Sequence, residues 1–194
     1  PYTYYFYQQL YDADGKPIQN GLVDRNEDGI INTEDRYLTG CNPTPWAYYG
    51  IHTQVRYKNW DFGLNGHGAI GAELINKNAM GYSSSYSDDY TKGYLNNLSV
   101  DWLLDGWHAL NSEDQKYSDL WIEDATFFKI DDINVGYTFN LEKDLKIRLA
   151  GSIQNVCTFT KYSGLDPEIG NLDGVDTTIY PRPRLFTLRL NITF

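Results

Sequence analysis

The residues best suited to chemistry lie in an acidic segment, residues 24–35. Oxygen-bearing groups recur there with the spacing of an EF-hand loop: Asp24, Asn26, Asp28, the Ile30 carbonyl, Asn32 and Asp35. Gly29 occupies the sixth position, where the sharp turn of such a loop needs a residue without Cβ. Hard oxygen ligands favour Ca²⁺ over a transition metal. The spacing therefore predicts a calcium site, and the alternative is an Asx-rich turn that holds no metal.

A second group of candidate site residues consists of aromatic rings in the long segment 71–126. The rings that could contact a substrate are Tyr86, Tyr90, Trp102 and Trp107. Tyr and Trp present a broad apolar face together with a polar tip, which suits stacking on sugar rings or packing against a partner protein. In the alternative, these rings pack the segment against itself, because a long ordered loop needs a small core of its own.

The sequence shows no arrangement of residues typical of an enzyme. Acidic pairs such as Asp131 and Asp132 are adjacent, and neighbours on a strand point to opposite faces. The three histidines, His52, His67 and His108, are scattered along the chain. No phosphate-binding loop, dinucleotide fingerprint or nucleophile elbow occurs. We therefore expect a protein that is not an enzyme.

The elements that must position these groups are β-strands, because apolar and polar residues alternate with a period of two. The clearest run places Phe186, Leu188 and Leu190 on one face, against Thr187 and Arg189 on the other. The predicted strands lie near residues 2–10, 46–57, 60–70, 127–139, 145–156 and 185–194. Between them lie tight turns near 58–59 and 140–144 and the long loops 11–45, 71–126 and 157–184.

The connections suggest where these strands belong. If neighbouring strands are antiparallel, the tight turns lie at one end of the sheet and the long loops at the other, as in outer-membrane barrels. Loops longer than about 15 residues are uncommon inside compact soluble domains. The alternation alone leaves open whether the apolar face contacts a core or lipid. We expect an all-β fold, and the loop pattern favours membrane strands.

Composition excludes several classes of protein. The chain has 194 residues, with 26 acidic and 16 basic side chains and a formal net charge of −10. An acidic chain without a basic patch is not expected to bind nucleic acid. The sequence contains no run of about 18 apolar residues, so we expect no membrane-spanning helix. Two cysteines, Cys41 and Cys157, are too few for a disulfide framework.

Short blocks of sequence carry a more specific signal. They are GCNPTP at 40–45, YKNWD at 57–61, IEDATFFKI at 122–130, NVGY at 134–137, QNVCTFTKY at 154–162, GLDPE at 164–168 and YPRPR at 180–184. Together with the acidic segment and Phe194, these blocks resemble the C-terminal part of SusC/RagA-type TonB-dependent outer-membrane transporters. Cys41 and Cys157 depart from the residues usual in that family.

The resemblance implies a large transmembrane β-barrel with long extracellular loops in the outer membrane of a Gram-negative bacterium. In that family the barrel has 22 strands, and a plug connects it to TonB. A SusD-like surface lipoprotein helps it to import oligosaccharides or peptides. Twenty-two strands of about 10 residues need more than 194 residues, so we expect about six C-terminal strands here. We therefore expect the plug and the TonB box to lie outside these 194 residues.

Two functions therefore follow from the sequence. The first is a segment of a nutrient importer, with membrane lipid, the rest of the barrel, a SusD-like lipoprotein, TonB and a glycan or peptide as partners. The alternative is a secreted, calcium-stabilised β-sandwich whose aromatic loops bind glycans. The loop pattern and the ordered blocks favour the importer.

Overall fold

The computed structural model describes residues 4–82, 117–141, 145–168, 173–177 and 180–194. In chain order the strands are β1 (Tyr5–Phe6), β2 (Gln9–Tyr11), β3 (Pro17–Leu22), β4 (Tyr37–Leu38), β5 (Ala47–Tyr57), β6 (Trp60–Ile70), β7 (Glu73–Asn76), β8 (Ile122–Asp124), β9 (Phe127–Asn140), β10 (Lys146–Thr160), β11 (Val175–Asp176) and β12 (Leu185–Thr193). A short helix, α1 (Lys77–Tyr82), follows β7. Within the described ranges, no helix is long and apolar enough to cross a membrane.

The chain divides into two compact units. The sheet unit comprises Pro45–Gly71, Ala125–Lys161 and Tyr180–Phe194. The loop unit comprises Pro1–Thr44, Ala72–Asp124 and Tyr162–Ile179. Each unit is therefore assembled from three separate stretches of sequence.

The sheet unit is a five-stranded sheet with the order β12-β10-β9-β6-β5, and all of its pairings are antiparallel. β5 and β6 pair from Ala47 opposite Ile70 to Tyr57 opposite Trp60, which leaves a two-residue turn. Lys58 in this turn has a φ of 54°. Two-residue hairpin turns commonly need such a positive φ, because it matches the twist of the flanking strands. The Leu141 amide closes the turn between β9 and β10 by donating to the Leu145 carbonyl. Both tight turns lie at the same end of the sheet.

Two bulges interrupt this sheet. β9 has one residue more than β6 at Asp131, between the pairs Asn65–Asp132 and Gly66–Ile130. β10 has one residue more than β9 in the stretch 155–156, where Asn155 has a φ of 54°. A bulge bends its strand and redirects local side chains. The two bulges therefore change which residues face each side of the sheet.

The loop unit contains short strands around a small apolar cluster. β1 pairs with β4 and β2 pairs with β3, while β7 lies between β8 and β11. Tyr4, Phe6 and Ile75 form the buried cluster, against which Cys41, Ile122 and Val175 pack. The Tyr4 hydroxyl lies 3.2 Å from the Gly174 carbonyl. Residues distant in sequence thus hold this unit together.

The observed strands match the predicted ones in the sheet unit and differ outside it. Five predicted segments coincide with β5, β6, β9, β10 and β12, although β10 continues to Thr160, four residues past its predicted end. The prediction of one strand over 2–10 is wrong. That segment forms β1 and β2, which pair with β4 and β3 in the loop unit. Its aromatic run buries consecutive residues, Phe6 and Tyr7, rather than one face.

Candidate functional site

The sheet unit has one polar face and one apolar face, and the apolar face is exposed. On β12, Phe186, Leu188 and Leu190 are 69%, 76% and 60% exposed. Their register partners on β10 include Ile153 and Leu149, so the apolar face continues across the strands. A sandwich would bury this face against a second layer of structure. The sandwich alternative is therefore wrong, and the face has the character of strands that contact lipid.

Aromatic rings border this apolar face at both ends of the strands. The turn-end belt consists of Tyr57, Trp60, Tyr137 and Phe139. The loop-end belt consists of Tyr49, Phe128 and Phe159. Tyr49 and Tyr57 are eight residues apart on β5, about 27 Å along the strand. Paired aromatic belts with aliphatic residues between them are typical of the two interfaces of a membrane.

The rings of each belt contact one another across strands. In the turn-end belt, the ring centroids of Trp60 and Tyr137 are 4.8 Å apart. In the loop-end belt, Tyr49 and Phe128 stack at 5.9 Å with an interplanar angle of 9°. Gly68 of β6 makes room for this stack, because a Cβ there would lie 2.4 Å from the Tyr49 ring. The glycines of β6 therefore contribute to the belt by leaving space for it.

The polar face carries a charged pair that crosses three strands. Arg148 of β10 donates from Nε and Nη2 to the two carboxylate oxygens of Asp61 on β6, at 2.9 and 2.5 Å. Gly136 of β9 lies between them, and a Cβ at this position would be 2.5 Å from Arg148 Nη2 and 2.6 Å from Asp61 Oδ1. Bidentate pairing fixes the guanidinium geometry as well as adding energy. The absence of a side chain at Gly136 is thus what allows the pair to form.

Other polar side chains of this face pair with neighbours. His67 Nδ1 lies 2.6 Å from Asp131 Oδ2, and the bulge at Asp131 accounts for this meeting. Asn134 donates from Nδ2 to Asp132 Oδ1 at 2.9 Å. This arrangement supplies hydrogen-bonding groups and fixed charges along the strands. It suits a surface in contact with water.

A polar clasp, formed by Asn155 and Arg184, joins the bulge of β10 to the residues before β12. The Asn155 side chain donates to the carbonyls of Arg182 and Pro183, at 2.8 and 3.4 Å. Arg184 donates from Nη2 to the carbonyl of Val156 at 2.7 Å. Because a proline has no backbone N–H to donate to a sheet, side chains replace ladder bonds here. The clasp therefore sets where the pairing of β12 with β10 begins.

The predicted calcium ligands lie together in one closed loop of the loop unit. The two carboxylate oxygens of Asp24 accept the amides of Glu27 and Gly29, both at 2.7 Å. Gly29 has a φ of 81°, as the sixth position of such a loop requires. Asn26 Oδ1 accepts the Asp28 amide at 3.1 Å. These are Asx-type bonds, which close the turn by themselves.

The remaining predicted ligands follow the same pattern. Asp28 Oδ1 accepts the Ile30 amide at 2.8 Å, and the Ile30 carbonyl accepts Asn32 Nδ2 at 3.3 Å. Asn32 caps the 3-10 turn Thr33–Asp35 through a capping box. No group of three or more His, Cys, Asp or Glu side chains in the described ranges is arranged to hold a metal ion. The calcium site therefore stays a prediction.

Asp35, at the twelfth position, is completely buried. Its carboxylate accepts the amides of Asn32 and Arg25, both at 2.9 Å, and that of Asn26 at 3.4 Å. The bond from the Asn32 backbone is the largest influence holding the pKa of Asp35 below its ordinary value, against the opposing effect of desolvation. The carboxylate at this position thus organises the backbone of the loop.

Sequence reasoning located some of these groups and missed others. The candidate substrate contacts Tyr86, Tyr90, Trp102 and Trp107 lie outside the described residues and stay predictions. The pair of Asp61 and Arg148 was missed, although Gly136 between polar-face positions of β9 is a signal of close approach. Both cysteines, Cys41 and Cys157, are free.

Comparison with known proteins gives the family. No family model matches the chain. The TonB-dependent receptor SusC of Bacteroides thetaiotaomicron is 34% identical over 203 residues, which cover 99% of this chain and 19% of that receptor. The chain belongs to the SusC/RagA type of TonB-dependent receptor. The TonB-dependent receptor P3 of Formosa agariphila is 27% identical over 94% of this chain and 20% of that receptor. The chain spans about a fifth of the length of these relatives.

Solved structures show the same fold. The RagAB peptide transporter matches with a TM-score of 0.70 and 16% identity, over 100% of this chain and 23% of that one. The RagAB peptide importer in its closed-closed state matches with a TM-score of 0.67 and 15% identity, also over 100% of this chain and 23% of that one. The all-β prediction of antiparallel strands from a transmembrane barrel is confirmed. Receptors of the SusC/RagA type are outer-membrane proteins of Gram-negative bacteria, and an exposed apolar face is what barrel strands present towards lipid.

Proposed function

We propose that the sheet unit forms part of the wall of an outer-membrane nutrient importer and lines its interior with the polar face. The observation that carries this proposal is the exposed apolar face between the two aromatic belts. The pair of Asp61 and Arg148 shows that the opposite face of the same sheet is polar. Strands of membrane barrels alternate apolar residues towards lipid with polar residues towards the interior. No catalytic step is part of the proposal.

The proposed mechanism is gated passage of a solute along the polar face. Opening is driven by TonB, and a SusD-like surface lipoprotein delivers an oligosaccharide or a peptide. RagAB, a structural neighbour, is described as a peptide importer, which supports a peptide as one substrate class. The rings of Tyr86, Tyr90, Trp102 and Trp107 are proposed to contact the substrate. A stacked ring pair contributes about 0.5–1.5 kcal/mol beyond its buried area.

Uptake by whole cells tests the importer proposal. A strain lacking the receptor, its complemented counterpart and a strain lacking TonB are given defined mixtures of peptides and of oligosaccharides. Mass spectrometry of the medium then follows depletion. We expect the complemented strain to deplete one mixture and both other strains to leave it. Equal depletion by all three strains would contradict the proposal.

Matched tryptophan variants test the substrate contacts. Trp102→Ala and Trp107→Ala should raise the half-saturating substrate concentration several-fold, because each removes a stacking surface. Trp46→Ala is the control, since Trp46 is an equally large, 76% exposed ring outside the proposed contacts. Equal effects of all three variants would show that substrate contact is not the role of these rings.

We also propose that the acidic loop binds Ca²⁺ through Asp24, Asn26, Asp28, the Ile30 carbonyl, Asn32 and Asp35. Oxygen spacing and the positive φ of Gly29 support this proposal. Isothermal titration of the purified receptor with calcium chloride should give one site whose affinity falls in Asp28→Asn. Asp14→Asn, in the separate turn of the β2–β3 hairpin, should leave the affinity unchanged. Absence of binding to the wild type would make the loop a metal-free Asx turn.

A further inference from the structure

A groove interrupts the exposed apolar face of the sheet unit around Gly151. Its volume is about 400 Å³. The apolar residues that line it come from three neighbouring strands and are Ile133, Val135, Gly151, Ile153, Phe186 and Leu188. Two hydroxyl-bearing residues complete its border. The groove therefore lies within the exposed apolar face, centred on β10 and bordered by β9 and by β12, the edge strand of the described sheet.

The groove arises because one side chain is missing from a regular row. Gly151 of β10 lies in register with Val135 on β9 and Leu188 on β12. A Cβ at Gly151 would meet no atom within 4 Å, so the neighbouring side chains leave the gap open. The next row consists of Ile133, Ile153 and Phe186, and these side chains close one side of the groove. A narrow apolar hollow one residue wide results.

The position of the groove indicates which part of the membrane borders it. Gly151 is two residues from Leu149, which is paired with Tyr137 of the turn-end belt. It is eight residues from Phe159 of the loop-end belt. Short turns of outer-membrane barrels face the periplasm. The groove therefore opens towards the periplasmic leaflet, which is built of phospholipid.

We propose that this groove is a binding site for one acyl chain of a phospholipid in the periplasmic leaflet. Water is a poor occupant, because it needs two to four polar partners and the lining is apolar. An acyl chain is narrow and flexible, and it can follow the hollow between Val135 and Leu188. Filling the hollow restores the dispersion contacts that the missing side chain at Gly151 leaves unmade. The site depends on the lipid-facing orientation of the sheet and is independent of which nutrient is imported.

Photolabelling tests the proposal. The intact receptor is reconstituted in nanodiscs that contain a phospholipid with a diazirine at mid-chain, and labelled residues are mapped by peptide mass spectrometry. We expect labelling of Ile133, Val135 and Ile153 to exceed that of Val55 and Leu64 several-fold. The latter two residues lie on the same face, in the same rows, outside the groove. Uniform labelling across the face would overturn the proposal.

A pair of variants sharpens this test. Gly151→Phe fills the groove and should reduce labelling of its walls to the level of Val55 in the wild type. Val55→Phe adds comparable bulk in the same row of the sheet and should leave labelling of the groove walls unchanged. Cross-links between groove residues of two receptor copies would show a protein occupant and would also overturn the proposal. If Gly151→Phe fails to assemble, the wild-type labelling ratio still decides.

Discussion

The strands of the sheet unit are 9 to 15 residues long, whereas those of the loop unit are only 2 to 6 residues long. Long strands satisfy their backbone by ladder bonds and leave side chains to alternate between faces. Short strands cannot do this, because each contributes only a few ladder bonds. The loop unit therefore needs other partners for its backbone and for its buried polar groups.

Buried and half-buried polar side chains supply those partners. The Asp119 carboxylate accepts the Tyr37 hydroxyl at 2.6 Å and the backbone N–H of Gln9 at 2.9 Å. Tyr162 donates to the completely buried Asp176 at 2.8 Å. Burial is the largest influence that raises the pKa of Tyr162, and the bond to Asp176 raises it further. The phenol thus stays protonated and remains a donor.

The two units consequently have opposite requirements. The sheet unit exposes its apolar face and relies on a hydrocarbon environment to cover it. The loop unit has a small apolar cluster of its own and relies on hydrogen bonds that burial makes costly to lose. Substitutions that change polarity should therefore damage the first unit most, and substitutions that remove a single polar partner should damage the second.

The largest expected effect comes from a charge on the lipid-facing side of the sheet. Phe186→Lys, in the row midway between the two belts, should destabilise the folded receptor by about 2–4 kcal/mol, the cost of Lys at the middle of a bilayer. Thr187→Lys, the adjacent residue on the polar face, should have little effect. Urea-induced unfolding in liposomes measures both. Equal destabilisation would show that β12 does not separate its faces as the structure indicates.

The second prediction concerns the space over Gly136. Gly136→Ala should break the contact between Asp61 and Arg148, and hydrogen bonds to charged groups contribute about 1.5–3 kcal/mol. Gly151→Ala is the matched control, because a Cβ there meets nothing within 4 Å. The same unfolding assay compares them. If Gly136→Ala lowers the free energy of unfolding as much in an Arg148→Gln background as in the wild type, loss of the charged pair is not the cause.

The third prediction separates two roles of Asn155. Asn155→Ala should destabilise β12 pairing by about 1–2 kcal/mol, because Ala is disfavoured at the positive φ of this bulge. The same change removes two donated hydrogen bonds. Asn155→Gly keeps the backbone conformation and loses only those bonds, so it should cost less. Hydrogen exchange of the β12 amides measures both variants, and equal losses would assign the whole effect to the clasp bonds.

The sheet unit was predictable from sequence because alternation is a direct consequence of strand geometry. Even there, the bulge at Asp131 moves the apolar positions of β9 from the even residues Phe128 and Ile130 to the odd residues Ile133 and Val135. Alternation alone gives no warning of such a shift. The loop unit was not predictable in this way, since its strands are too short to show a period.

The candidate site also has features that the sequence predicted and features that it did not. The spacing of residues 24–35 correctly indicated a closed acidic loop with Gly29 at its sharp turn. It gave no indication that Asp35 is buried and bonded to three amides, because those contacts depend on how the loop folds over its own carboxylate. The pair of Asp61 and Arg148 also required the register of three strands.

The smallest expected effect is local and depends on pH. Because the folded loop holds the pKa of Asp35 below its ordinary value of 3.8, the carboxylate contributes its full stability above that pH. The contribution is lost as the pH falls through the lower pKa of the folded state. Hydrogen exchange measures this loss. After correction for intrinsic exchange rates, the backbone amides of the acidic loop should lose their protection from exchange only in acid. Asp35→Asn should remove this pH dependence and expose the loop at neutral pH, whereas Asp14→Asn should retain it. If the loop amides of the wild type are equally protected from hydrogen exchange at neutral pH and at a pH below the folded-state pKa of Asp35, then Asp35 is not the carboxylate that organises the loop.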